Sequence, residues 1–172
     1  MKNLNIYIRE LGQDDFSDLD KHFGAQSQFN NPISKWERYL NQQMTGERLV
    51  RVIEHDNQVI GLATLKFVSD YPSFKIHKIP EINDLLIAQP FRRHGFGRAL
   101  IESLERIAKE LGYKTIGLGV GLYQDYGSAQ RLYYKMDYIP DGFGITYKDH
   151  FVVPGNKYPI DDELILWLTK QL

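Results

Sequence analysis

The chain contains no cysteine in its 172 residues, which removes disulfides, thiolate metal sites and a cysteine nucleophile together. No apolar run approaches the ~20 residues of a membrane helix, and Met1 to Glu10 lack the apolar core of a signal peptide. The expected location is therefore the cytoplasm, with no membrane partner. Lysine- and arginine-rich runs are also missing and the formal charge is −1, so no electrostatic footprint for nucleic acid exists. No serine stands in G-x-S-x-G, and the five histidines never fall in H-E-x-x-H. Covalent catalysis and a resident metal thus have little support. Repeats, low-complexity tracts and linkers are absent too. A 42% hydrophobic content over this length predicts one cored domain spanning residues 1–172.

The informative stretch runs from Glu81 to Gly112 and reads as strand, glycine turn, helix. Leu100, Leu104, Ile107, Ala108 and Leu111 recur at helical spacing, with Glu102 four residues before Arg106 and Glu105 four before Lys109. Gly112 supplies the stop. A helix that begins inside Arg92-Arg93-His94-Gly95-Phe96-Gly97 points unpaired N–H groups and its positive dipole end at the turn. Two glycines there let an anion such as a diphosphate approach the backbone. An ordinary strand-to-helix loop is the competing reading of the glycines alone.

Arg92-x-x-Gly95-x-Gly97 after an apolar strand resembles the acetyl-CoA signature of the GCN5-related N-acetyltransferase superfamily. Ala129-x-x-Leu132-Tyr133-x-Lys135-x-x-Tyr138 is similar to that family's second motif. Two positions depart from the pattern. Tyr126 stands where many members have asparagine, and Asp137 replaces the usual glycine.

The resemblance implies an α/β (α+β) fold with a mixed, mostly antiparallel sheet of about six to seven strands and helices on both faces. It implies binding of acetyl-CoA by Arg92, Arg93, His94, Gly95, Phe96, Gly97 and Arg98, by the backbone of Leu85, Leu86 and Ile87, and by Tyr126, Ser128 and Tyr133. The central strand is expected to be bulged near Leu86 and Ile87, where a main-chain N–H would polarise the acetyl carbonyl. The implied acceptor is an amine on a small molecule or peptide, and homodimers are a common habit of the family.

Along the chain, Leu4 to Leu11 alternates as a first strand. Asp14 or Asp15 caps a helix carrying Phe16, Leu19 and Phe23, and Asn31-Pro32 starts another through Met44, with Trp36, Tyr39 and Leu40 on one stripe. Phe29 and Trp36 suit either a substrate wall or core packing. Two apolar runs joined at Asp56-Asn57-Gln58 form a hairpin, and residues 69–80 read as a loop in which Tyr71 and Phe74 either line an acceptor pocket or pack inward. In Thr115 to Gly121, Ile116, Leu118 and Val120 share one face and three glycines the other, leaving a bare face for the pantetheine arm that the resemblance implies. A Rossmann fingerprint fails there on glycine spacing. Ser128 to Met136 is a short helix, and Leu164 to Leu168 a last buried strand.

Transfer to a lysine-like amine requires a base, since only about one molecule in 2,500 is neutral at pH 7. By position in the family Glu81 is the first choice and Asp84, on the opposite strand face, the second; either also reads as a solvated strand-end carboxylate. Tyr133 falls on the tyrosine that protonates the leaving thiolate, with Tyr134 the register alternative. Glu81, Asp84, Asp125, Asp141 and Asp149 offer an acidic approach for a cationic amine. The rival to an enzyme is an acyl-CoA sensor that keeps the fold without turnover.

Overall fold

A computed structural model describes residues 6–24 and 32–172; Leu4, Phe29 and the start of the second helix at Asn31 lie outside them. The chain divides into two compact units that interleave along the sequence. One comprises Met1–Lys66 and Asn83–Arg106, the other Phe67–Ile82 and Ile107–Leu172.

The first unit holds β1 (Ile6–Glu10), α1 (Phe16–Phe23), α2 (Pro32–Met44), β2 (Arg48–His55) and β3 (Gln58–Lys66). To these it adds β4 (Glu81–Ile87) from Asn83 onward and α4 (Phe96–Glu110) as far as Arg106. Strand order here is β1-β2-β3-β4. The β2–β3 hairpin turns on Asp56 and Asn57, both left-handed at φ 50° and 61°, which is the two-residue type I′ turn that Asp and Asn tolerate. Phe16, Leu19 and Phe23 of α1 and Trp36 and Tyr39 of α2 pack on Val50, Val52, Val59 and Leu62. Each such side chain contributes roughly 1.5–3 kcal/mol by leaving water. Trp36 is 1% exposed and packs within this core. His55 points to the other face by strand alternation, and there its ring meets Phe96 of α4 at 5.5 Å. Helices therefore cover both faces.

The second unit runs β4-β5-β8-β6-β7, with β5 at Thr115–Gly121, β6 at Ile139–Tyr147, β7 at His150–Phe151 and β8 at Leu164–Gln171. It also holds α3 (Pro72–His77) and α5 (Gly127–Tyr134). The start of β4 pairs in parallel with β5 at Glu81↔Gly117 and Ile82↔Leu118, while β5 pairs antiparallel with β8 from Thr115↔Gln171 to Gly121↔Ile165. Among the described residues eight strands thus make a mixed, mostly antiparallel sheet. The strand beyond the expected count is β7, two residues closed by left-handed Lys148 and Asp149 and too short to leave an alternation pattern. The segment read as a loop contains α3: Pro72 stands at its N-terminus and left-handed Lys78 ends it, a six-residue span too short for periodicity to reveal. On α4, Leu100, Ile101, Leu104 and Ala108 are buried, but Leu111 is 59% exposed, because Gly112 at φ 91° turns the chain at that point.

The glycine face of β5 is not bare. A Cβ on Gly117 would lie 2.3 Å from the Phe74 ring, one on Gly119 2.8 Å from Ile165, and one on Gly121 2.4 Å from the Tyr126 ring. The glycines make room for the protein's own side chains, so the space expected for a pantetheine arm is filled along this face. Tyr71 stacks on Trp167 at 4.2 Å, and Phe74 meets both rings edge-on, forming a buried aromatic cluster. Tyr71 and Phe74 are accordingly core. Gly117→Ala is expected to cost about 1–3 kcal/mol, since fully buried Phe74 cannot retreat. A urea midpoint unchanged from the unsubstituted protein would contradict that packing.

Candidate active site

In the first unit, β4 ends at Ile87 and the chain makes a single 3-10 turn at Gln89–Phe91 before the loop Arg92 to Gly95. Arg93 and Gly95 are left-handed at φ 66° and 89°, and α4 begins at Phe96. The Ala99 N–H donates to the Gly95 carbonyl at 3.0 Å, so the amides ahead of Ala99 fall before the first helical bond. Alternating handedness turns successive N–H groups toward one concavity, a nest for an anion. Nothing lies within 4 Å of a Cβ built on Gly95, so space for a ligand exists beside this backbone. Arg93, His94 and Gly95 are exposed; Gly97 and Arg98 are half-buried.

Not every residue of the loop offers its side chain. Arg92 donates from Nε to the Ile87 carbonyl at 2.9 Å and fastens the loop to the strand end. Phe96 is 3% exposed, within ring contact of His55, Phe91 and His94, so only its backbone faces the turn. Arg98 pairs with Glu102 at 3.4 Å, on the N-terminal side of the glutamate rather than the side expected from spacing.

Leu85, Leu86 and Ile87 are half-buried in the same unit. The left-handed residue of β4 is Asp84, at φ 50°, upstream of the expected bulge; a short polar side chain carries that conformation at low cost. Asp84 accepts a hydrogen bond from the Tyr39 hydroxyl and an ion pair from Lys35 Nζ at 3.3 Å. Burial and the Asp84 charge push the Tyr39 hydroxyl up, so it remains the donor. Arg48, itself buried, donates to Thr64 Oγ1 at 2.7 Å and Asn83 Oδ1 at 3.2 Å, and Thr64 donates to the Asn83 carbonyl at 3.1 Å. This network braces the backbone immediately before Asp84.

In the second unit, Glu81 is 5% exposed and accepts a 2.5 Å hydrogen bond from Ser69 Oγ, which in turn accepts from the Tyr71 N–H. A solvated strand-end carboxylate is thereby ruled out for Glu81. Tyr133 is 7% exposed in α5, and burial alone pushes its hydroxyl up to about 12, so it holds its proton at neutral pH. Tyr134 is 79% exposed. Left-handed Asp137 at φ 65° and the Tyr138 N–H bond to the Tyr133 carbonyl close the helix, as the departure from glycine allows. Ser128 is exposed at the start of α5. Tyr126 donates to Asp162 Oδ1 at 2.9 Å while its ring covers Gly121, so both its ends are engaged within the protein. Asp141 accepts from the Tyr71 hydroxyl at 2.7 Å and the Phe143 N–H at 3.0 Å, a turn role, and Asp149 is a hairpin turn residue.

The structure thus groups Asp84 to Ile87 with the Arg92 to Arg98 loop in one unit, and Glu81, Tyr126, Ser128 and Tyr133 in the other. Besides the partners of Asp84 and Asn83, two contributors escaped the sequence reading. Gly61 of β3 admits the Leu86 carbonyl, which a Cβ would meet at 2.5 Å, and Ser69 orients Glu81. A lone glycine in an apolar strand signals such close approach; nothing in sequence singles out Ser69.

Among curated proteins no sequence match reaches significance. The fold is that of an N-acetyltransferase from Staphylococcus aureus Mu50, at 17% identity, TM-score 0.71, and 97% and 98% coverage of the two chains. It is also that of a ribosomal-protein-alanine N-acetyltransferase from Brucella melitensis, at 18% identity, TM-score 0.71, and 96% and 99% coverage. A third likeness is the PaiA N-acetyltransferase from Thermoplasma acidophilum in complex with coenzyme A, at 16% identity, TM-score 0.63, and 98% and 99% coverage. The profile of the acetyltransferase (GNAT) family matches residues 8–138, which takes in the glycine loop, both candidate bases and Tyr133, and the chain belongs to that family.

Proposed function

We propose that this protein transfers the acetyl group of acetyl-CoA to a primary amine by direct attack in a ternary complex. The observation that carries the reading is the nest at Arg93 and Gly95 leading into α4, whose N–H groups suit the diphosphate of coenzyme A. The coenzyme A in the Thermoplasma relative supports the same donor.

Acetyl-CoA supplies an activated thioester. Backbone groups of Leu85 to Ile87 pair with the donor's amides as an added strand would, and an N–H of this segment polarises the acetyl carbonyl. Glu81, through a water, accepts the proton that the attacking amine loses. As the N–C bond forms and the C–S bond breaks, Tyr133 gives its phenolic proton to the departing sulfur.

The loop assignment makes Gly95→Val a sharp test. A β-branched residue at φ 89° costs about 1–3 kcal/mol, and relieving that strain would disturb the nest. Coenzyme A affinity measured by calorimetry should fall about tenfold or more; unchanged affinity would remove the loop from the site.

The function itself is tested by coenzyme A release from acetyl-CoA with a thiol reagent, against small amines, aminoglycosides, polyamines and peptides. The protein has no thiol to react in the background. Release stimulated by one class supports transfer and names the acceptor chemistry. Tight binding without release for every amine would favour a sensor instead.

A further inference from the structure

Around Asp84 the first unit has assembled an ammonium cage and filled it with its own lysine. Lys35 Nζ lies 3.3 Å from Asp84 Oδ2, 5.3 Å from the Trp36 ring centroid and 5.4 Å from that of Tyr39. Trp36 and Tyr39 are 1% and 3% exposed, so both rings are desolvated walls. Asp84 keeps 31% of its side chain exposed and so remains approachable. A carboxylate beside two aromatic rings is what a desolvated ammonium seeks, through charge and the ring quadrupoles.

We propose that Asp84, Tyr39 and Trp36 form the subsite for the acceptor's cationic amine, which Lys35 occupies until the acceptor displaces it. The proposal rests on the transferase reading above and narrows its acceptor to alkylammonium compounds. Displacement, rather than addition, follows from the surrounding charge. The Arg48 and Arg38 guanidinium carbons already lie 4.5 Å and 5.6 Å from the Tyr39 centroid, so a further cation beside Lys35 would face three cations and one nearby carboxylate. Exchange of one ammonium for another leaves the local charge unchanged. Lys35 sits near the start of α2 on a four-carbon stem, and its head can move into water without disturbing the helix. The Arg48–Thr64–Asn83 bonds hold the strand that presents Asp84, so the carboxylate stays in place when the lysine leaves.

The test is a calorimetric titration of the full chain, with and without saturating coenzyme A, using n-butylammonium and the neutral n-pentanol. Expected are binding of the ammonium but not the alcohol, about tenfold tighter binding in Lys35→Met, and about tenfold weaker binding in Asp84→Asn, with coenzyme A affinity unchanged in both. Equal or weaker ammonium binding in Lys35→Met, or equal binding of the alcohol, would overturn the cage. In the unsubstituted protein, saturating n-butylammonium should raise acetic anhydride labelling of Lys35 severalfold relative to exposed Lys109, read by peptide mass spectrometry; unchanged labelling would also overturn it. Failure of coenzyme A to bind counts against the transferase reading alone, because the ammonium titration proceeds without it.

Discussion

Tyr133→Phe should lower turnover by about 10²–10⁴, the usual contribution of general acid–base catalysis, while leaving coenzyme A affinity close to unchanged. The substitution removes one oxygen from a side chain that is otherwise packed, with the Tyr138 ring at 6.0 Å, so the fold has little reason to respond. A buried phenol at about 12 is a weak acid toward water but remains fully protonated across the working range, so the proton is present whenever the thiolate departs. The sign of the stability effect is also fixed. Folding raises this pKa from about 10, so the native state keeps a proton that the unfolded state loses, and stability falls as pH rises through the interval from there to about 12. Tyr133→Phe should lose that part of the alkaline sensitivity. Turnover equal to that of the unsubstituted protein would remove Tyr133 from the mechanism, and loss of coenzyme A binding would make it a donor-binding residue rather than the acid.

Glu81→Gln should lower kcat/KM at pH 7 by about 10²–10⁴, and the deficit should shrink as pH rises. Between pH 7 and 9 the neutral fraction of an alkylamine rises about 100-fold, so a missing base matters less where the amine arrives deprotonated. The amide keeps an oxygen to accept from Ser69, so the buried contact survives and the comparison isolates proton transfer. A deficit independent of pH would point to positioning. No deficit at all would pass the role to another group.

Much of the fold was legible because it depends on long periodic segments. The α4 stripe, the Asp56-Asn57 hairpin and the Trp36–Tyr39 face of α2 follow from patterns that one strand or helix contains by itself. Short elements were not. Six residues of α3 and two of β7 carry too few positions for a period; α3 rests on tertiary contacts such as that of Phe74 with Trp167, and β7 on that of Phe151 with Tyr71. The β5 glycines were visible, but their occupants come from distant residues, Phe74, Ile165 and Tyr126, which no local reading connects. At the site, the loop and Tyr133 stood out through motif spacing. The left-handed Asp84 and its bonds to Lys35 and Tyr39 arise only when α2 is laid beside β4, and sequence distance conceals them.

The most direct measurement follows an isotopic label in the acetyl group of acetyl-CoA during incubation with the full chain and an alkylamine. Direct transfer predicts label in the N-acetylamine in step with coenzyme A release, and none on the protein when the amine is withheld. Label held by the protein and passed on only when the amine is added would contradict direct attack; binding of acetyl-CoA with no label ever reaching an amine would contradict the transferase itself.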